Sequence, residues 1–111
     1  MTQAFEQRSY TREEYLEFEV ASEERHEYVN GEIRLITGGT PDHNELAINL
    51  ATLLKSTLRG KPYRFFGANQ RLWIPDRNLY TYPDAMVVEK PLQLQIGRTD
   101  TVINPCFIAE V

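Results

Sequence analysis

Two apolar runs in this chain each carry one carboxylate, and that pairing limits the fold more than any other feature. Tyr82-Pro83-Asp84 leads directly into Ala85-Met86-Val87-Val88, and Cys106-Phe107-Ile108-Ala109-Glu110-Val111 forms the second run. Both read as buried strands, being short, apolar and rich in β-branched and aromatic residues. An acid in such a strand costs free energy unless hydrogen bonds or a cation compensate it. Side chains alternate along a strand, so Asp84, Met86 and Val88 share one face, and Cys106, Ile108 and Glu110 share one face of the other. If the strands pair with Asp84 and Glu110 to the same side, the two carboxylates form a hard-oxygen site suited to magnesium or manganese. The plainer alternative is two surface acids at strand ends.

The rest of the chain supplies the frame for that pair. With 111 residues there is room for one domain and a small core. Residues 1–10 read as a flexible tail and 11–111 as a single domain. Thr11-Arg12-Glu13-Glu14 is a capping box, so a short helix runs to about Val20, with Tyr15, Leu16 and Phe18 as contact residues. Asn30-Gly31 is a strong two-residue turn signal, because both residues tolerate positive φ. The resulting hairpin sets Tyr28 opposite Ile33, His26 opposite Leu35 and Glu27 opposite Arg34. His26 therefore reads as a packed histidine, and Glu27 as an ion-pair partner of Arg34. After Gly38-Gly39-Thr40-Pro41, Asp42 reads as a helix N-cap with Glu45 three residues on, and the helix runs to about Arg59. Leu46, Leu50, Leu53, Leu54 and Leu58 form its apolar stripe, and His43 lies in its first turn on the inward side. From Tyr63 onward the pattern is strand-like: Tyr63–Phe66, Gln70–Ile74, Leu79–Tyr82 with Asp84–Val88, and Cys106–Val111. Pro75-Asp76-Arg77-Asn78 is a turn, and Glu89 to Pro105 an irregular connection.

Charge is unevenly distributed. The net charge is −4, yet residues 46–83 hold six bases (Lys55, Arg59, Lys61, Arg64, Arg71, Arg77) and one acid, Asp76. A positive middle of this kind can follow a phosphate backbone, or can be an ordinary solvated face. The single cysteine, Cys106, excludes an internal disulfide and a cysteine-cluster zinc site, and reads as a small buried hydrophobe. No apolar run reaches membrane-spanning length and residues 1–10 lack a signal-peptide core, so a reducing cytoplasm is expected.

The runs Tyr82–Val88 and Asn104–Val111, together with Thr11-Arg12-Glu13-Glu14-Tyr15-Leu16, Glu27-Tyr28-Val29-Asn30-Gly31-Glu32 and His43-Asn44-Glu45, resemble the Uma-two family of restriction-type endonucleases. The resemblance covers Thr11 to Val111, and the order and spacing of the pieces carry it. That family in turn resembles the PD-(D/E)xK nucleases, whose core is a helix, a mixed sheet and a second helix. The resemblance implies a divalent metal held by Asp84 and Glu110, with Asp42–Arg59 as the first core helix. It also places His43 and Glu27 among the residues near the catalytic site. An imidazole at a helix N-terminus can accept a proton or bind a metal. A packed residue at the sheet edge is the alternative for His43.

Nucleases of that type use a lysine to orient water and stabilise charge at the phosphate. By resemblance it would be residue 112 or would come from a following helix, and this sequence contains neither position. Glu89-Lys90 does not substitute, because strand neighbours point to opposite faces. The expected fold is thus α/β (α+β): a mixed, mostly antiparallel, restriction-endonuclease-like sheet with one long core helix, an N-terminal helix and hairpin appended, and a core truncated at its C-terminus. The expected function is magnesium- or manganese-dependent hydrolysis of DNA phosphodiesters, weak or absent in this form, with Arg64, Arg71 and Arg77 on the DNA backbone. A non-catalytic module that dimerises through an open sheet edge is the competing expectation.

Overall fold

The computed structural model describes residues 8–111, so part of the expected N-terminal tail lies outside the described residues. These residues fold as two compact units, and together they are mixed α+β of the restriction-endonuclease-like kind, with two α-helices.

The first unit combines the described residues up to Thr37 with Ile74–Thr81. Its helix α1 spans Arg12–Ala21 and opens on the expected capping box: Thr11 Oγ1 accepts from the Glu14 amide, and Glu14 accepts from the Thr11 amide. Strands β1 (His26–Val29) and β2 (Glu32–Leu35) form the expected hairpin, with His26 opposite Leu35, Glu27 opposite Arg34 and Tyr28 opposite Ile33. Asn30 and Gly31 take φ of 46° and 97°, which is why this dipeptide closes the turn. Pro75–Arg77 is one 3-10 turn ending on Asn78 in the left-handed region, and a strand, Leu79–Thr81, follows and pairs antiparallel with β1. The two turns are clasped, since the Asn30 amide donates to the Asn78 carbonyl at 3.0 Å.

The core of this unit is aromatic. The Tyr15 ring lies 5.4 Å from that of Tyr28 and 5.2 Å from that of Tyr80, and all three rings are buried. Two of the hydroxyls are satisfied by carbonyls: Tyr15 donates to that of His26 at 2.5 Å and Tyr28 to that of Tyr10 at 2.6 Å. His26 is the packed histidine that the hairpin register predicts. Its ring Nδ1 lies 2.8 Å from Glu19 Oε1, its amide donates to Glu19 Oε2 at 2.7 Å, and Phe18 meets the ring edge-on. The cross-strand pair predicted for Glu27 does not form. Arg34 bonds Glu32 instead, and Glu27 accepts from Thr81 Oγ1 at 3.2 Å.

The second unit holds Gly38–Trp73 and Tyr82–Val111. Helix α2 spans Pro41–Thr57 and is capped by Thr40, not by Asp42: Thr40 Oγ1 accepts from the His43 amide at 3.2 Å. Proline at the first helical position explains the earlier start, because its missing N–H needs no partner there and its φ suits a helix. Counting strands in chain order, β3 is Tyr63–Gly67, β4 Arg71–Ile74, β5 the Leu79–Thr81 strand of the first unit, β6 Ala85–Glu89, β7 Thr101–Val102 and β8 Pro105–Ala109. β6 lies between β3 and β8, antiparallel to both, and β4 pairs parallel with β7. β7 falls inside the segment expected to be irregular. At two residues it is too short to show a period.

Core placement differs from the expectation in two respects. Ala85, Met86, Val87 and Val88 of β6 are buried, as predicted. β8 is not: Cys106, Phe107 and Ile108 are exposed, because β8 is an edge strand and receives neighbours on one side. Cys106 is therefore an exposed thiol rather than a buried hydrophobe, with Sγ 3.4 Å from the Val87 carbonyl. The predicted leucine stripe of α2 is also split. The helix packs on β3 and β6 through a half-buried row of Ala47, Leu50, Ala51, Leu54 and Leu58. Leu46 and Leu53 face water at 57% and 62% exposure, together with Ile48 at 65%.

Candidate functional site

Asp84 is placed by the polypeptide just before it enters β6. Pro83 is buried and fixes the approach, and the apolar strand that follows anchors the carboxylate on a rigid element. The side chain is 17% exposed and that of His43 is 32% exposed. His43 Nε2 lies 3.3 Å from Asp84 Oδ2, and the Val111 amide donates to the same oxygen at 2.8 Å. Both contacts fall on Oδ2. Among the described residues Oδ1 accepts no hydrogen bond, so one oxygen is held and the other is left available as a ligand.

The contact also fixes the role of one ring nitrogen. A lone pair on Nε2 would oppose the carboxylate, so Nε2 is the donor in this contact. His43 Nδ1 is buried and has no hydrogen-bond partner. The ring lies against Gly39: a Cβ added there would overlap Nδ1 and lie 2.9 Å from Cγ. Glycine is thus needed for the imidazole to reach Asp84 from the first turn of α2. The Gly38-Gly39 pair signals a chain break in sequence, but its steric purpose depends on where His43 comes to lie.

Glu110 follows β8 directly. The ladder ends at the Ala85–Ala109 pair, with Asp84 the residue before β6 and Glu110 the residue after β8, so the two acids flank the same end of that ladder. Glu110 itself is exposed, so the cost of burial applies to Asp84 alone. Asp84 recovers part of that cost from the His43 and Val111 contacts. Among the described residues no three His, Cys, Asp or Glu side chains are grouped as a multi-ligand cage requires. A magnesium-like ion keeps several waters and asks for one or two carboxylates, so the donor set fits such an ion and not a zinc site.

The other predicted positions are on other elements. Glu27 is on β1 of the first unit, beside Thr81. Arg77 is exposed in the 3-10 turn, and Arg64 is exposed on β3 with its guanidinium 5.1 Å from the Phe66 ring centroid. Arg71 is buried and holds the β4–β7 region together. Its Nη2 bonds Asp100 Oδ2 at 3.1 Å, and Arg98 bonds the same carboxylate at 2.9 and 3.0 Å. These contacts, the Arg98 hydrogen bond foremost, hold the Asp100 carboxyl below its ordinary value of 3.8. The sequence reading did not anticipate the Val111 amide as a clamp on Asp84, since backbone donors leave no trace in residue type.

The chain is 38% identical over 101 residues to the uncharacterized protein sll1609 of Synechocystis sp., covering 91% of this chain and 57% of that protein. It is 31% identical over 99 residues to the uncharacterized protein slr1290 of the same organism, covering 89% of this chain and 51% of that protein. The chain thus spans about half the length of these curated relatives. Residues 12–111, which include Asp84, Glu110, His43 and Glu27, match the model of one family, described as "Putative restriction endonuclease", and the chain belongs to that family, Uma2.

Proposed function

We propose that this chain carries the acid pair of a divalent-metal-dependent endonuclease that hydrolyses DNA phosphodiesters. The observation that carries the reading is Asp84, a part-buried carboxylate whose Oδ2 is pinned by His43 and the Val111 amide while Oδ1 is left open, with Glu110 following β8 at the same end of the β6–β8 ladder. Asp84 and Glu110 are the residues that would hold magnesium or manganese, which supplies activation of water and stabilisation of charge on the phosphate. His43 acts as a positioning residue: its Nε2–H fixes the carboxylate orientation, and its first-turn setting against Gly39 keeps it there. Glu27 is the fourth acid-base residue offered by the family resemblance, and the contact that supports a local role for it is the bond from Thr81. The exposed Cys106 thiol fits a reducing compartment, in keeping with a cytoplasmic location.

The test is Mg2+ and Mn2+ titration by calorimetry, paired with plasmid cleavage. The parent chain binds the ion with 1:1 stoichiometry, and Asp84→Asn and Glu110→Gln each weaken binding by at least about tenfold, the loss of one charged ligand being worth 1.4 kcal/mol or more. Ion binding unchanged in both variants overturns the site.

A second reading has its own observation. β8 is an edge strand with Phe107, Ile108 and Val111 exposed, a surface that could pair with a second copy to give a dimer. Light scattering distinguishes the two: a metal-indifferent dimer broken by Ile108→Lys favours this reading.

A further inference from the structure

At the end of α2 away from His43, the second unit contains a cleft of about 910 Å3 bordered by Lys55, Arg59, Lys61, Arg64 and Lys90, with Tyr63 at its wall. The bases arrive from separate segments: Lys55 from the last turn of α2, Arg59 and Lys61 from the reversal after it, Arg64 from β3, and Lys90 from the residue following β6. No carboxylate lines the cleft, and among the described residues none of the five cations has an acidic partner. All three lysines of the sequence meet here.

Helix electrostatics explain only part of this. The negative end of α2 favours Lys55 and Arg59. It does not account for Lys61 and Lys90, which lie on other segments and add like-charge repulsion. The backbone nevertheless fixes them. Gly60, at φ +76°, reverses the chain so that Arg59 and Lys61 border one cleft. The Lys61 amide donates to the Leu58 carbonyl at 3.0 Å, and the Lys90 amide to the Pro62 carbonyl at 2.9 Å. An ordered set of uncompensated cations is the arrangement that binds a polyanion, by displacing its condensed counterions.

We infer that this cleft is a phosphate-backbone anchor for duplex nucleic acid, separate from the acid pair. Lys55 follows His43 by 12 residues on one helix, so the anchor lies roughly 18 Å from the first turn at 1.5 Å per residue. At about 3.4 Å per base pair, that span is roughly five base pairs of duplex. The anchor thus grips phosphates distant from the acid pair while leaving that pair free. The choice of DNA as the polyanion rests on the endonuclease reading; the anion site does not.

The experiment is fluorescence anisotropy of a labelled 20-base-pair DNA duplex in EDTA, where no metal bridges protein and phosphate. The parent chain binds with strong salt dependence. The double variant Lys61→Gln/Lys90→Gln binds at least about tenfold more weakly, with the slope of log K against log salt reduced by about two. Both lysines are exposed, so melting temperature checks that the variant stays folded. In an Asp84→Asn background, where ion binding is weakened, the Lys61→Gln/Lys90→Gln change still lowers duplex affinity by the same factor, so loss of the cleft and loss of the acid pair read out separately. An unchanged double variant, a parent that does not bind, or an equal loss from Arg77→Gln outside the cleft overturns the proposal. So does binding of inorganic phosphate or of phosphatidylserine vesicles that matches duplex binding at equal phosphate concentration.

Discussion

At the residue scale, the site depends on how closely two groups approach. Gly39 is the residue whose replacement separates geometry from chemistry, because its missing side chain is what admits the His43 ring. Gly39→Ala is expected to push the imidazole away from Asp84 without altering Asp84 or Glu110. The expected result is a changed His43 ring resonance by NMR and ion affinity weakened several-fold, with the hairpin resonances of the first unit unchanged. A histidine resonance identical to the parent's would count against the contact. Asp100 gives a second residue-scale prediction. Its carboxyl titrates below the ordinary 3.8 when folded, so the stability it contributes is fully present above that pH and is lost as pH falls through the lower folded value. Urea unfolding followed down the acid range should show this loss, and Asp100→Asn should remove that part of the pH dependence.

At the element scale, local signals specify what local contacts decide. The capping box and the Asn30-Gly31 turn were legible because each satisfies its own backbone within a few residues. The hairpin register followed from the turn, and with it the inward direction of His26 and Tyr28. The start of α2 was misread by two residues because Asp42 is an equally good cap in isolation, and only the proline at the first helical position favours Thr40. Tyr15 packs α1 on β1 and β5 within the first unit. Tyr15→Ala, which removes a fully buried ring packed on Tyr28 and Tyr80, should cost about 3–5 kcal/mol in urea unfolding, whereas Val20→Ala on the exposed face should cost under about 0.5 kcal/mol. Equal costs would place α1 outside the core.

At the scale of the whole molecule, apolar composition and apolar burial part company. Met86 is fully buried and Leu53 is not, although the sequence pattern ranks both as core. Met86→Ala is expected to destabilise by about 2–5 kcal/mol and Leu53→Lys by less than about 0.5 kcal/mol, both read from chemical denaturation. A large cost at Leu53 would show that the exposed side of α2 is covered in solution. The α+β class, the hairpin, the helix extents to within two residues, the strand that follows Asp84 and the family to which the chain belongs were all determined by the sequence, because each follows from short-range periodicity, turn chemistry or residue order. Tertiary structure alone decided that His43 and the Val111 amide hold one oxygen of Asp84, that Arg71 serves Asp100, that β8 is an edge, and that three lysines converge on one cleft. Those outcomes join residues far apart in the chain, and pairing between distant segments leaves no periodicity in any one of them.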